Sequence, residues 1–257
     1  MFKYGLKLWS NNENYVPYAE RLFRKKVYDY IELYIFPNTY ERYIKMWRNL
    51  GIPFIIHCTH FMHGFNLAIK EKLTSNLKIF SEVKAFCDEL NGEYIIFHPG
   101  IEGSLKDSIE QIQRIKDKRL LVENKPYISM YGDRCRGSLY EELEEIAHIC
   151  NIGFCLDIAH AINTAFHLKT ESFRYLNKML TLHPQVVHIS DGKMQERHDR
   201  HLNIGDGDFN FKNIRKIILK ADTKYLTVET CKRYNNLSDF VKDVKEIKEL
   251  ININNGR

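Results

Sequence analysis

The chain has 257 residues, of which 44% are hydrophobic and 28% are charged, the balance of an ordinary globular protein. No stretch reaches the roughly 20 apolar residues of a membrane-spanning helix, and the start lacks a secretory signal, so we expect a cytoplasmic protein. A formal net charge of +5 permits a polyanionic partner but is too small to identify one.

Short runs rich in β-branched and aromatic residues alternate with longer segments of helical periodicity along the chain. Strands are predicted at Tyr4–Leu8, Tyr30–Ile35, Phe54–His57, Tyr94–His98, Leu120–Glu123, Gly153–Asp157, Val186–Ile189 and Tyr225–Glu229. The clearest helices are predicted at Asn66–Leu90, Ser138–Cys150 and Leu237–Ile251, with N-caps at Ser104 and Ser238. No linker divides the chain, so we expect one domain over residues 1–257. Eight strand and helix units in about 250 residues predict a closed (β/α)8 TIM barrel.

Six consecutive predicted strands finish in a side chain that is able to bind a metal ion. They end in FIIH, IIFHPG, LLVEN, FCLD, VVHIS and LTVET, which supply His57, His98, Glu123, Asp157, His188 and Glu229. The carboxyl ends of barrel strands line the active site, so these side chains should converge. One histidine after an apolar run means little alone, but a carboxylate buried after apolar residues needs a cation. Together the six positions predict a metal site.

The segment HDRHLNIGDGDFNF, at residues 198–211, gathers further charged and metal-binding groups. Taken alone, it fits a solvated loop, a phosphate-binding turn or one wall of a metal site. A nucleotide-binding P-loop is excluded because GDGDF lacks the Lys and Ser/Thr of that motif. If His188 ends a strand, Asp199 and His201 lie above the same rim and reach an ion held with His160. We expect the glycines to allow tight turns beside this site.

The nine candidate ligands exceed what one tetrahedral ion can use. With Glu123 shared between two ions, they divide into two or three metal sites, and clustered divalent ions are suited to splitting phosphate esters. Histidine and carboxylate donors without cysteine favour Zn²⁺, with Mn²⁺ or Fe²⁺ as alternatives. The six cysteines are expected to be reduced, Cys155 lying in the core and Cys58 lacking a base that would make it a nucleophile.

FHPG, VEN, DIAHA, HISDGK, DRHLNIGDG and VET resemble the strand-end motifs of the endonuclease IV family, trinuclear-zinc apurinic/apyrimidinic (AP) endonucleases among the xylose-isomerase-like barrels. The motifs match in order and location over roughly residues 54–230. The resemblance implies a DNA-repair enzyme that cuts damaged DNA 5′ to an abasic nucleotide by a zinc-activated hydroxide, with Glu123 and Glu229 as catalytic residues. It implies metal sites held by His57, His98 and Glu123; by Glu123, Asp157, His188 and Glu229; and by His160, Asp199 and His201.

Two segments depart from the family pattern and leave alternatives open. His60 stands where the family carries a tyrosine that helps fill the duplex, and FPNTYERY only loosely matches its groove-penetrating loop. The opening KYGLKLWS resembles sugar-isomerase or epimerase relatives, whose single divalent metal for proton transfer on a sugar or sugar phosphate would be held by Glu123, Asp157, His188 and Glu229. A barrel that holds metal and only binds damaged DNA or a partner is the third hypothesis.

Four residues beside the candidate ligands are predicted to contact the substrate: His60, Asn124, Lys125 and Arg200. His60 and His63 are also alternative ligands, although His57 is preferred because it directly ends the apolar strand. Arg200 lies between two proposed ligands, so its side chain should point away from the metals, toward a phosphate or a supporting carboxylate.

Overall fold

The computed structural model describes residues 2–252, and their eight strands close into a barrel. In chain order the strands are β1 (Lys3–Trp9), β2 (Tyr30–Tyr34), β3 (Phe54–His57), β4 (Ile95–Phe97), β5 (Leu120–Glu123), β6 (Gly153–Asp157), β7 (Val186–Ile189) and β8 (Tyr225–Val228). Each strand pairs in parallel with the next, and β8 closes the barrel against β1. The predicted (β/α)8 TIM barrel is confirmed, and each predicted strand end lies within one residue of the observed end.

The helices that connect these strands surround the barrel. They are α1 (Val16–Arg24), α2 (Tyr40–Arg48), α3 (Leu73–Glu89), α4 (Leu105–Ile115), α5 (Tyr140–Cys150), α6 (Ile158–His167), α7 (Ser172–Met179), α8 (Phe211–Lys220) and α9 (Ser238–Asn252). Both α6 and α7 lie between β6 and β7, whereas each other connection contains one α-helix. No helix within residues 2–252 is long and apolar enough to cross a membrane.

The predicted start of the helix after β3 is wrong, because α3 begins at Leu73 rather than at Asn66. The side-chain oxygen of Asn66 accepts hydrogen bonds from the backbone N–H groups of Ala68 and Ile101, each at 3.1 Å. Such side-chain bonds compete with helical backbone bonds. The amide of Asn66 therefore holds this segment in a loop that packs against the segment after β4.

The other predicted helix starts are closer to the observed ones. Ser104 is confirmed as the N-cap of α4, since its hydroxyl oxygen accepts the backbone N–H of Asp107 at 3.0 Å. Ser238 is instead the first residue of α9. Helix α5 begins two residues after Ser138, because the Glu142 carboxylate already accepts the Ser138 N–H at 3.2 Å.

One layer of mostly apolar side chains fills the barrel interior toward the amino ends of the strands. It consists of Tyr30, Ile55, Ile96, Leu121, Cys155, Val186 and Tyr225. On β1 the corresponding position is Gly5, where a Cβ would lie 2.4 Å from the ring of Tyr30. The absence of a side chain at Gly5 thus makes room for Tyr30, and the layer forms a packed floor for whatever lies above it.

The loop after β7 is built around one buried carboxylate. Asp191 accepts the backbone N–H of Gly192 at 2.8 Å through Oδ1, and those of Gly205 at 3.0 Å and Gly207 at 2.9 Å through Oδ2. A Cβ on Gly207 would lie 2.1 Å from Asp191 Oδ1, so this position requires glycine. The glycines of GDGDF thus allow the chain to close tightly on Asp191, which fixes the loop that carries Asp199.

Candidate metal centre

A layer of polar side chains lies directly above the apolar floor of the barrel. Successive strand residues point to opposite faces, so the residue two positions after each floor residue points inward again. These second inward residues are Lys7, Glu32, His57, His98, Glu123, Asp157, His188 and Thr227. All but Lys7 are buried. The strand geometry therefore gathers eight polar side chains, most of them ionisable, into one small volume.

Glu123 lies within this layer and faces four histidines. Its Oε2 is 2.9 Å from His57 Nε2 and 3.1 Å from His98 Nε2. Its Oε1 is 3.3 Å from His160 Nδ1 and 3.6 Å from His188 Nδ1. Burial alone would raise the pKa of Glu123, but the charge of His188 and the contacts with His160 and His188 hold it well below the usual value. Each oxygen of this charged carboxylate thus serves a different pair of histidines.

His57, His98 and Glu123 form the first candidate ligand set. His57 Nδ1 donates a hydrogen bond to the carbonyl oxygen of Cys58 at 2.8 Å, and His57 Nε2 faces Glu123. The approach of His98 to Glu123 is misaligned for a hydrogen bond, so both ring nitrogens of His98 are buried without a hydrogen-bond partner. Burial and the charge of Lys125 lower the pKa of His98 well below the usual value. Its ring is therefore neutral, as metal coordination requires.

Glu123, Asp157, His188 and Glu229 form the second candidate set. His188 Nδ1 is 2.8 Å from Glu229 Oε2 and 3.8 Å from Asp157 Oδ2. On the other side of the ring, His188 Nε2 donates to Glu32 Oε2 at 2.8 Å. A histidine held in this way by a carboxylate presents its second nitrogen to a metal ion.

His160, Asp199 and His201 form the third candidate set. The carbonyl oxygen of Asn124 lies 2.8 Å from His160 Nδ1, and that of Glu229 lies 3.1 Å from His201 Nδ1. Both rings therefore turn Nε2 toward Asp199 Oδ2, which lies 3.4 Å from His160 Nε2 and also contacts His201 Nε2. The structure thus brings the loop residues and the strand-end residues together, as the sequence predicts.

The described residues fit a group of divalent cations. Four carboxylates converge in a largely buried space: Glu123, Asp157, Asp199 and Glu229. Burying such charges without compensation costs several kcal/mol for each ion. Burial alone would lower the pKa of His160, His188 and His201, but the acidic groups beside them raise it, to about 9 for His201. In the metal-free protein, protons on these histidines thus occupy the positions where metal ions would bind.

Cys155 is a further potential donor, because its Sγ lies 3.4 Å from His188 Nε2. Burial raises the pKa of Cys155 to about 12, so it carries a thiol at neutral pH, whereas a metal binds the thiolate. The nitrogen that it approaches is already bonded to Glu32. Cys155 belongs to the apolar floor, as predicted, and all six cysteines are free.

Sequence reasoning missed two charged residues of the polar layer, the buried Glu32 and the partly buried Lys7. Lys7 Nζ lies 2.6 Å from Glu229 Oε2 and 3.1 Å from Glu32 Oε1. Glu32 also accepts the hydroxyl of Thr227 at 2.6 Å. In the sequence, Glu32 is a carboxylate within the apolar run YIELYI, the same signal that singled out Glu123. The pattern of strand-end residues does not include Glu32, because this residue lies within its predicted strand rather than at the end.

A cavity of about 510 Å³ opens above the polar layer. Two of the four predicted substrate contacts, His60 and Lys125, line it. Asn124 does not: its amide bonds to both the carbonyl and the N–H of Asp157, at 2.8 and 2.7 Å, so it supports a strand end rather than facing a substrate. Arg200 points away from the centre, as expected, and pairs at the surface with Glu196.

The alternative ligands near β3 have other partners. His63 Nδ1 lies 2.7 Å from the hydroxyl of Tyr34, and neither His60 nor His63 belongs to a candidate ligand set among the described residues. Burial, with the charge of Lys125, lowers the pKa of His60 to about 2, so its ring is neutral. The preference for His57 over both is consistent with this geometry.

A closed (β/α)8 barrel with histidines and carboxylates gathered at the carboxyl ends of its strands has the architecture of a metal-dependent barrel enzyme. The chain belongs to the xylose isomerase-like TIM barrel family, whose model matches residues 21–251. This match agrees with the closed eight-stranded barrel.

Individual proteins also resemble this chain. A probable endonuclease 4 from Aquifex aeolicus (strain VF5) is 29% identical over 226 residues, 77% of each chain. The crystal structure of endonuclease IV from Thermus thermophilus has a TM-score of 0.71 at 20% identity, covering 97% of this chain and 98% of that one. A D-tagatose 3-epimerase-like protein has a TM-score of 0.70 at 18% identity, covering 98% of both. The resemblance to endonuclease IV is confirmed, and both solved structures share the fold.

Glu32 should position His188 for metal binding. We expect Glu32→Gln to weaken Zn²⁺ binding about 10- to 100-fold, because a neutral amide holds the His188 Nε2 proton less firmly and no longer balances Lys7. Competition with a chromophoric chelator measures this affinity. Glu110→Gln, on the exposed face of α4, is the matched control and should bind as the unmodified chain does. Equal affinities in the two variants would refute the positioning role.

Metal binding near pH 7 should release protons. The raised pKa values of His160, His188 and His201 keep these rings protonated in the metal-free protein, and each must lose its proton to coordinate. Affinity should therefore fall as pH falls, about tenfold per pH unit for each proton released. The dependence should weaken above about pH 9, where His201 is already neutral. Calorimetry in buffers of different ionisation enthalpy measures the release, and a binding enthalpy independent of the buffer would contradict it.

Proposed function

We propose that this chain is a metal-dependent phosphodiester hydrolase that cuts DNA on the 5′ side of abasic sites. The observation that supports this most strongly is the position of Glu123, whose two oxygens face different histidine pairs at 2.9–3.6 Å. A carboxylate in this position is suited to bridging two ions. Clustered ions are the device by which enzymes stabilise both the attacking and the leaving oxygen of a phosphate ester.

The residues of the chain have defined roles in such a reaction. Bound divalent ions would lower the pKa of water and neutralise charge on the phosphoryl oxygens. Glu123 and Glu229 would hold adjacent ions, and we infer that both are essential for catalysis. Lys7, 2.6 Å from Glu229 Oε2, keeps that carboxylate in place and offsets part of its charge. Burial alone would lower the pKa of Lys7, but Glu229, Glu32 and Glu123 raise it, so the ammonium form persists.

Zinc is the metal that the donor set favours. The proposed ligands are five histidines and four carboxylates: His57, His98, His160, His188, His201, Glu123, Asp157, Asp199 and Glu229. Imidazole with a minority of oxygen donors suits Zn²⁺, whereas Mn²⁺ prefers sites richer in oxygen. The three candidate sets support two or three ions in each chain.

Damaged DNA as the substrate is supported by the relatives that are called probable endonuclease 4, at 29% identity or less. The surface beside the cavity is also suited to a nucleic acid. Trp9 lines the cavity and is 43% exposed, with its ring stacked on Phe36 at a centroid distance of 6.2 Å. An exposed aromatic ring held in this way is a platform on which a base can stack.

A sugar or sugar phosphate isomerase with one metal is the second candidate. It is favoured by one observation: the set Glu123, Asp157, His188 and Glu229 is complete as a site for a single ion. The remaining proposed ligands would then have no role, although His98 is buried without hydrogen bonds and Asp199 is held between two histidines. We therefore place the hydrolase first.

A duplex that contains one tetrahydrofuran abasic-site analogue tests the proposal. We expect zinc-loaded protein to cut this strand once, on the 5′ side of the analogue, and to leave an intact duplex of the same sequence uncut. Glu123→Gln should retain the fold, bind less zinc and lose the cutting, because the amide cannot bridge two cations as a carboxylate does. Gel analysis of end-labelled strands and elemental analysis measure these outcomes.

The controls separate the candidate functions. Glu110→Gln, on the exposed face of α4, should cut as the unmodified chain does. About three zinc ions per chain with site-specific cutting would support the hydrolase. One ion per chain, no cutting and isomerisation of a sugar phosphate would support the second candidate instead. A fully active Glu123→Gln variant would contradict the bridging role.

A further inference from the structure

Lys125 is a buried lysine whose ammonium group has no partner among the described residues. The residue is 8% exposed and lines the cavity above the candidate ligands. Its backbone is fixed on both sides, since its N–H donates to the Gly137 carbonyl at 2.9 Å and its carbonyl accepts the Thr164 hydroxyl at 3.2 Å. Lys125 Nζ is not among the fully buried polar atoms of the described residues, so the ammonium group is accessible from the cavity. A ligand in the cavity can therefore be its partner.

The other two lysines of the cavity have partners within the protein. Lys7 contacts Glu229 and Glu32 at 2.6 and 3.1 Å. Lys232 donates to the carbonyl oxygen of Thr230 at 2.5 Å. Burial lowers the pKa of Lys232 to about 8, so it is partly neutral near physiological pH. Lys125 is therefore the cavity lysine that has no hydrogen-bond or ion-pair partner among the described residues.

Lys125 lines the cavity together with several histidines, and it forms no ion pair with a carboxylate of the described residues. Its charge lowers the pKa of both His60 and His98, after the larger effect of burial. Those two rings line the cavity with it. Lys7, by contrast, touches Glu229 and Glu32. The two ammonium groups thus have different surroundings: Lys7 belongs to the metal-binding layer, and Lys125 faces the substrate space.

The net charge of the metal-loaded centre influences which anion binds there. Three divalent ions would exceed the four carboxylate ligands by two positive charges, and Lys125 adds a third. One phosphodiester carries a single negative charge and compensates only part of this excess. A molecule with at least one further phosphate near the reacting one compensates it better, and lysine is a common point-charge partner of phosphate.

We propose that Lys125 binds a second phosphate group of the substrate, adjacent to the phosphate that reacts at the metal centre. The substrate is then a polynucleotide rather than a compound with one phosphate. This inference rests on the proposed hydrolase function, which it makes more specific. The residue that binds the DNA backbone beside the reacting phosphate is then not a metal ligand.

The test compares Lys125→Met with Lys45→Met, a matched control in the exposed last turn of α2. Two phosphodiesters serve as substrates: an oligonucleotide with an abasic analogue, and bis(p-nitrophenyl) phosphate, which has one phosphate. For Lys125→Met, kcat/KM on the oligonucleotide should fall about 10- to 100-fold, mainly through KM, because a charged hydrogen bond is lost. At matched zinc content, turnover of the one-phosphate ester should fall much less than turnover of the oligonucleotide, because that ester has no second phosphate. Lys45→Met should match the unmodified chain on both substrates.

Equilibrium binding gives a readout that is independent of turnover. Oligonucleotide affinity of the metal-free protein, measured by fluorescence anisotropy at several salt concentrations, should show a slope of log K against log salt that is shallower by about one in Lys125→Met. Lys125→Arg keeps the charge and should restore the slope. A loss of activity that is equal for both substrates, or an unchanged slope, would overturn the proposal.

The remaining outcomes separate this inference from the proposed function. Ribose 5-phosphate binding that is lost in Lys125→Met, with oligonucleotide binding unaffected, would overturn the polynucleotide assignment in favour of one phosphate. If the unmodified chain cuts neither diester, the hydrolase proposal fails. The salt slope then still decides whether Lys125 contacts a polynucleotide backbone.

Discussion

The balance of charge around Glu123 is the constraint on which the upper half of the barrel depends. Its two oxygens face His57 and His98 on one side and His160 and His188 on the other, at 2.9–3.6 Å. Buried carboxylates at this density require compensating positive charge. In the metal-free chain the charge comes from protonated histidines and Lys7, and divalent ions would exchange with those protons. Stability, metal affinity and pH dependence are therefore coupled through the same few atoms.

The apolar floor beneath this layer makes the arrangement possible. Strand alternation turns the second inward residue of each strand onto the same level, so the fold itself gathers the ligands. Gly5 leaves space for the Tyr30 ring in the floor. Above the layer, Asp191 closes the glycine loop and holds Asp199 and His201 over the rim. Rigid floor and fixed loop together preorganise the ligands, which limits the conformational cost of binding metal.

Much of the fold and of the candidate site can be predicted from the sequence. Alternate residues of a strand point to the same face, and this two-residue repeat determines both the strands and the side chains that point into the barrel. A strand-end residue such as His57 or Asp157 is visible as a polar group after an apolar run. Glu32 is less visible, since it lies within its strand and only the closed barrel shows that it touches His188. The amide of Asn124 faces Asp157 rather than the cavity, an orientation that sequence spacing does not determine.

Features that the sequence pattern does not predict arise from individual side-chain contacts. The residues before Leu73 have helical periodicity, but they do not form a helix. The side-chain amide of Asn66 is hydrogen-bonded to a segment more than thirty residues away, which holds this part of the chain in a loop. That Lys125 has no ion-pair partner within residues 2–252 is likewise a property of three-dimensional packing. The extent of the domain over residues 1–257 and the cytoplasmic location stay predictions.

Anomalous X-ray diffraction from zinc-loaded crystals, recorded on both sides of the zinc absorption edge, tests the central claim most directly. We expect a cluster of zinc peaks at the carboxyl ends of the strands, two of them bridged by the oxygens of Glu123 and a third beside Asp199 and His201. A single peak confined to one ligand set, or zinc bound elsewhere with Glu123 bridging nothing, would contradict it.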